Sequence, residues 1–385
     1  MVEKDSQIRF VFAGDIMIGG EFLSYVNAHN LDPLYPFERI VPYLCDSDMV
    51  FINLEGPIFR GAERRPGVTS ILSNDPVILK LFSQFKTCVV NLANNHIMDY
   101  GVEGLNCTTK LLQEKGFPYV GAGKNSKEAE KELVIELKGT RVAFVAYTSN
   151  EPHVGAVTSG PESPGCASFQ EIDSVIEKIQ SLKSTADIIC VSLHWGHEYF
   201  LYPTPEQRTI AHKLVDAGAH YVIGHHPHVV QGVEMYKDSL IIYSLGNFMF
   251  PPFRTTLGRI HITKEITKKF MIVNSAISTS KNLGFGIIGG KVKEDYTMTP
   301  YRDTDHLKFN SKMENLIKPL HSSKYNEFWL DYKNRREREL RKETLAEAFK
   351  KLSMMTPREL IRTVTIGDIK RNLLRILKIW GKKPV

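Results

Sequence analysis

Carboxylates, imidazoles and asparagines stand at the ends of apolar runs in this chain, and their types suit metal binding and proton transfer. Asp15 follows IRFVFAG (8–14), and Asn53 and Glu55 close DMVFINLEG (48–56). Asn94, Asn95 and His96 follow TCVVNLA (87–93), and His194 follows DIICVSL (187–193). His225, His226 and His228 follow HYVIG (220–224), and Asn247 ends a further run, LIIYSLG (240–246). In α/β sheets the site lies outside the carboxyl ends of the strands. Five successive segments thus deliver candidates to one edge.

Such donors suit a hard or borderline divalent ion, of which Mn, Zn, Fe and Ca are the candidates. One or two ions per chain are expected. A carboxylate can bridge a pair of ions roughly 3.5–4 Å apart, which then clamp a developing oxyanion. His226-Pro227-His228 sets two imidazoles one residue apart. An extended backbone, restricted by the proline, would point them similarly. Trp195, Glu198, His225, Asn53, Asn94 and Asn247 are the candidate substrate contacts.

The elements that carry these residues alternate. Short β-branched runs at 8–14, 48–54, 87–93, 141–147, 187–193, 220–224 and 240–246 read as buried strands. Stretches of helical period lie between them at 75–85, 102–115, 170–183 and 205–217. Asn74-Asp75-Pro76 and Thr204-Pro205-Glu206 mark helix starts, and Gly116 and Gly218 mark stops. This alternation predicts a layered α/β domain. Residues 258–300 read as a strand-rich closing section. Residues 334–352 form a charged helix, a capping box at Thr356-Pro357-Arg358-Glu359 starts another, and 366–380 form an amphipathic basic segment. The expected division is a catalytic domain over 1–305 and a basic helical extension over 306–385.

Several of these segments together resemble the CapA family. They are GD (14–15), NLEGPI (53–58), ANNH (93–96) with Asp99-Tyr100-Gly101, HWGHEY (194–199), GHHPHVVQ (224–231) and YSLGNF (243–248). The family is named for capsule poly-γ-glutamate synthesis and belongs to the calcineurin-like metallophosphoesterase superfamily. The resemblance spans roughly residues 8–300. It implies a four-layer α/β/β/α sandwich. It also implies that Asp15 and His228 hold a first metal, that Glu55 bridges, and that Asn95, His194 and His226 hold a second. His96 would then donate a proton or polarise the substrate. The first motif reads Asp15-Ile16-Met17, where metallophosphoesterases carry Asp-x-His. Methionine is a poor ligand for such an ion. With a single ion on Glu55, Asn95, His194 and His226, Asp15 and a histidine would be the acid–base pair.

Composition excludes several other classes. The 385 residues are 42% hydrophobic and 24% charged, an ordinary globular balance. The five cysteines form no C-x-x-C pair, and no leader-like segment precedes the first strand, so a cytoplasmic location is expected. The net charge of +6 belongs to the tail: residues 331–385 carry 16 Lys/Arg against 7 Asp/Glu, which leaves the remainder at −3. The tail is expected to pack on the domain or a second subunit, or to meet an anionic membrane face or a synthase. It lacks aromatic stacking platforms, so nucleic acid is not an expected partner. Three functions follow. They are hydrolysis or transfer at a peptide-like, γ-glutamyl or phosphoryl group, metal-assisted peptide epimerisation, and a non-catalytic scaffold role in polymer synthesis.

Overall fold

The computed structural model describes residues 7–353, apart from 62–63, 170–171, 259, 262 and 279–282. Every apolar run expected to be a strand is one, within a few residues at each end. They are Ile8–Ile16, Met49–Leu54, Cys88–Asn91, Thr140–Ser149, Ile188–His194, Tyr221–His225 and Ser239–Ile242.

Among the described residues these strands form two large sheets. The first has the order Met298–Pro300, Leu283–Val292, Lys269–Ile277, Ile8–Ile16, Met49–Leu54, Cys88–Asn91, Tyr119–Val120; Asn247–Met249 also pairs with Ile8–Ile16. The second runs Val233–Tyr236, Ser239–Ile242, Tyr221–His225, Ile188–His194, Thr140–Ser149, Leu133–Leu137, with Ser168–Phe169 beside Thr140–Ser149. Within each sheet the strands that end in candidate residues are parallel to one another, so their carboxyl ends share an edge. Asp15 pairs with Asn53, Asn53 with Asn91, and His194 with His225.

The sheets lie face to face. Alternate residues of each strand enter the core between them, including Phe10, Phe12 and Phe51 from one sheet and Phe144, Tyr221 and Ile223 from the other. Phe51 stacks on Phe144 at 5.7 Å between centroids, and Phe12 meets Tyr221 at 5.0 Å. Each fully buried aromatic of this kind contributes about 2–3 kcal/mol. The opposite phase of the first sheet, Val11, Ala13, Val50 and Ile52, buries Phe22 and Val26 of helix Gly20–His29 and Leu105 and Leu112 of helix Gly101–Glu114. On the second sheet, helices Ile172–Leu182 and Pro205–Ala217 pack together, the latter against strand Tyr221–His225. The architecture is thus a four-layer α/β/β/α sandwich.

Local signals account for most element ends. Thr204 caps Pro205–Ala217 with a reciprocal capping box to Gln207, and Gly218 stops that helix with φ +124°. Asn74 departs from the expected cap. The helix there is only Ile78–Phe82, and Asn74 instead accepts from Ile18 N–H and donates to the Glu55 and Gly56 carbonyls. The section 258–300 contributes Lys269–Ile277, Leu283–Val292 and Met298–Pro300, an antiparallel extension of the first sheet.

The compact first unit extends to Asn326, beyond the boundary expected at residue 305. The reason is helix Asp303–Ile317, whose Phe309, Met313 and Leu316 enter the core between the sheets. The second unit starts at Glu327, and the helix Tyr325–Ser353 includes the segment expected at 334–352. The capping box at 356–359 and the basic segment 366–380 lie outside the described residues. All five cysteines are free thiols. Among the described residues no helix is long and apolar enough to cross a membrane.

Candidate metal centre

Two glycines let the strand ends approach one another. A Cβ on Gly14 would lie 1.9 Å from the Gly246 carbonyl oxygen, and one on Gly224 would lie 1.9 Å from that of Tyr243. Only glycine allows such an approach. Asp15 N–H then donates to Gly246 O at 3.0 Å, which fixes Asp15 beside Asn247.

Asp15 is fully buried and links the two sheets. Its Oδ1 accepts from Asn53 Nδ2 at 2.7 Å and lies 3.0 Å from His225 Nδ1; its Oδ2 accepts from His226 N–H at 3.3 Å. Burial alone would raise its pKa. The His225 hydrogen bond, the imidazoles of His225 and His228, and Asn53 outweigh that and hold it below the ordinary carboxylate range. Glu55 is equally buried, yet neither carboxylate oxygen has a hydrogen-bond partner. Burial and the nearby charges of Asp15, Glu198 and Asp99 push its pKa well up. His228 stands between them, its Nδ1 3.7 Å from Asp15 Oδ2 and its Nε2 3.6 Å from Glu55 Oε1. These three residues offer ligand atoms all within 4.8 Å of one another.

A second group converges beside the first. His194 Nε2 lies 2.9 Å from Asn95 Oδ1 and 3.1 Å from His226 Nδ1. A proton on that nitrogen can be donated to only one of these two neighbours, so the other contact is left without a hydrogen bond. The remaining nitrogens, His194 Nδ1 and His226 Nε2, are buried with no hydrogen-bond partner. Burial and repulsion among the clustered imidazoles lower both pKa values, His226 to about 3. These histidines are therefore neutral near pH 7 and present lone pairs. Buried, unpartnered donors of this kind are costly unless something charged compensates them. The donor set fits a divalent cation at both groups.

The His226-Pro227-His228 segment is not extended as expected. The strand ends at His225, and His226 and His228 take left-handed φ values of +96° and +56°. Such values are strained for histidine and persist only where surrounding contacts hold them. The two rings lie 6.1 Å apart at 50°, so one turn serves both groups.

The other expected site residues divide in two. His96, Glu198, His228 and Asn247 line a cleft of about 80 Å³ together with Tyr199 and Lys264. Asn247 Oδ1 lies 2.8 Å from His228 Nδ1 and orients that ring. Asn53, Asn94 and His225 are fully buried beneath the site. Asn94 donates to Leu54 O and Asn53 Oδ1, and accepts from the His96 and Gly56 amides. None of the three lines the cleft. Trp195 does not reach this cleft: its side chain is buried and donates to Tyr243 O at 3.3 Å. Met17 is also buried, packed with Leu72 and Phe253.

Asp99 and Asn91 carry weight that the sequence reading did not give them. Asp99 Oδ2 lies 2.6 Å from His96 Nδ1 and accepts from Leu72 N–H, so it fixes the imidazole ring. The three-residue spacing between His96 and Asp99 was the available signal. Asn91 donates to Asn53 Oδ1 and extends the support behind Asp15.

The model of the bacterial capsule synthesis protein PGA_cap family matches residues 9–252. The chain belongs to this family. That match contains every candidate ligand of the PGA_cap chain. Among curated relatives, the PGA biosynthesis protein CapA of Bacillus subtilis is 31% identical over 276 residues, 70% of this chain and 71% of that protein. The capsule biosynthesis protein CapA of Bacillus anthracis is 35% identical over 254 residues, 64% of this chain. The alignment spans 61% of the Bacillus anthracis protein, less than two thirds of its length. Among solved structures the PGA_cap chain is similar to a novel phosphatase from Mycoplasma pneumoniae, with TM-score 0.47 and 14% identity over 79% of this chain and 99% of that one. It is also similar to a putative 5'-nucleotidase from Staphylococcus aureus, with TM-score 0.42 and 16% identity over 80% and 58%.

Proposed function

We propose that this PGA_cap chain is a metal-dependent enzyme of capsule, poly-γ-glutamate or related cell-surface polymer production, acting by hydrolysis or transfer at a γ-glutamyl, peptide-like or phosphoryl group. The observation that carries this reading is the convergence of buried, unpartnered donors on one sheet edge. Asn95, His194 and His226 would hold one divalent ion. Asp15 and His228 would hold another, with Glu55 beside them as the carboxylate that would bridge the two. When bound, such an ion polarises a carbonyl or phosphoryl oxygen. The polymer context rests on the names of the two Bacillus relatives.

The chain's own residues supply the rest. Asp99 accepts the Nδ1 proton of His96, so the proton that His96 gives up in the cleft is one that Nε2 has first taken up, as the imidazolium. His96 then protonates the leaving group. Asn53, Asn91 and His225 hold Asp15, and Asn247 holds His228, so the donors are set before substrate arrives.

Epimerisation by Asp15 is less well supported. A carbon acid needs a base whose pKa approaches the working pH. Asp15 is held low and engages both oxygens with neighbours. The test is turnover of γ-glutamyl amides and p-nitrophenyl phosphates with and without chelator. Activity that survives both chelation and His226→Ala would sink the metal reading.

A further inference from the structure

The cleft beside the metal centre holds one permanent positive charge among its described lining residues, Lys264. Its Nζ sits 4.6 Å above the ring of Tyr199, a cation–π contact that restricts an otherwise flexible ammonium. Tyr199 is itself fixed. It has φ +66°, and its N–H donates to Pro227 O at 2.8 Å. The same turn bears His226 and His228, and the Tyr199 ring lies 6.4 Å from that of His228. Lys264 is therefore held at a set place relative to the proposed ligands.

Ser70, Thr263, Thr267 and Glu198 line the same cleft, where the Thr263 hydroxyl donates to Phe250 O and that of Thr267 to Lys264 O. A single ammonium matches a singly charged carboxylate, whereas a phosphate dianion is better served by guanidinium forks. The Glu198 carboxylate in turn accepts from an amine or amide N–H.

We propose that Lys264, positioned by Tyr199, binds the substrate's α-carboxylate, and that the cleft selects chains whose carboxylate neighbours an amine or amide nitrogen. A γ-glutamyl chain has that group at every unit. This inference rests on the polymer reading above and deepens it to one substrate feature.

The experiment measures binding of a γ-glutamyl trimer and of the same trimer with its α-carboxylates amidated, by calorimetry. Wild type, Lys264→Met and Lys264→Arg are each titrated in Mn-loaded and in chelated form, with thermal midpoints as the folding control. The free-acid trimer is expected to bind wild type, to weaken about tenfold in Lys264→Met, and to recover in part in Lys264→Arg. The amidated trimer is expected to bind weakly to all three. Equal affinity of Lys264→Met and wild type for the free acid overturns the subsite, as does an equal loss for both trimers, or no binding of either. If wild type takes up no Mn and the Lys264 dependence persists, the subsite stands and only the metal reading fails.

Discussion

His226 Nδ1 lies 3.1 Å from His194 Nε2, and that nitrogen lies 2.9 Å from Asn95 Oδ1. Two donors about 2.1 Å from a shared ion, at 90–109° between them, stand about 3.0–3.4 Å apart. The trio already has ligand spacing. It comes from two strand ends of one sheet, His194 and the turn after His225, and from the loop after a strand of the other.

Glu55 separates a binding site from a structural carboxylate. Its folded pKa is raised well above the model-compound value of 4.5, so in metal-free protein the buried charge is a cost at neutral pH. Glu55→Gln is expected to stabilise the chelated protein by about 1–3 kcal/mol at pH 7. The gain shrinks as pH falls toward 4.5, where the carboxyl is protonated in folded and unfolded chains alike. The same variant is expected to lose most of the thermal shift produced by Mn or Zn. Thermal melts with and without metal check both signs.

His96 and Asp99 are expected to act after binding. His96→Gln should lower turnover by about 10²–10⁴-fold while leaving metal content at the wild-type level. Asp99→Asn should give a smaller loss, because the ring remains but is held less firmly. Metal analysis beside steady-state rates separates this from a ligand role.

The candidate site was legible where strands end. Asp15, His194 and His226 each follow a β-branched run, and a parallel sheet sends all such ends to one edge. Trp195 misled for the same reason: it adjoins His194 in sequence, but successive residues of an extended strand face opposite sides. The turn at 226–228 was misread as extended because nothing local signals two left-handed histidines. Lys264 was invisible because it falls in the section 258–300, which read as strand-rich, whereas Lys264 itself lies in a loop before the short 3₁₀ turn Glu265–Lys268. The compact unit runs past the limit expected at 305 because helix Asp303–Ile317, largely polar in sequence, reaches the core through Phe309, Met313 and Leu316.

Gly14 tests the backbone approach that sets Asp15. Gly14→Ala would force a methyl against the Gly246 carbonyl. The expected outcome is destabilisation by at least about 2 kcal/mol together with weaker metal binding. Denaturant titration of the chelated protein reads the first effect alone.

Asp48 gives a pH prediction far from the centre. Lys138 Nζ lies 2.7 Å from its Oδ2, and Arg9 N–H donates to that oxygen at 2.9 Å. Burial works against ionisation, but these bonds hold the pKa below 3.8. A depressed folded pKa gives stability that is present above the unfolded value and lost as pH falls through the folded one. Asp48→Asn is expected to cost about 1–2 kcal/mol at pH 7. The difference should close as the pH drops below 3.8. Urea midpoints across pH 3–8 check it.

Metal content tests the central claim most directly. The purified chain, loaded with Mn or Zn and dialysed, is measured by elemental analysis beside His226→Ala. The expected result is at least one ion per chain that a chelator removes, with at least one ion lost in the variant while its fold is retained. No bound ion in wild type, or equal content in a folded His226→Ala, would contradict the metal centre.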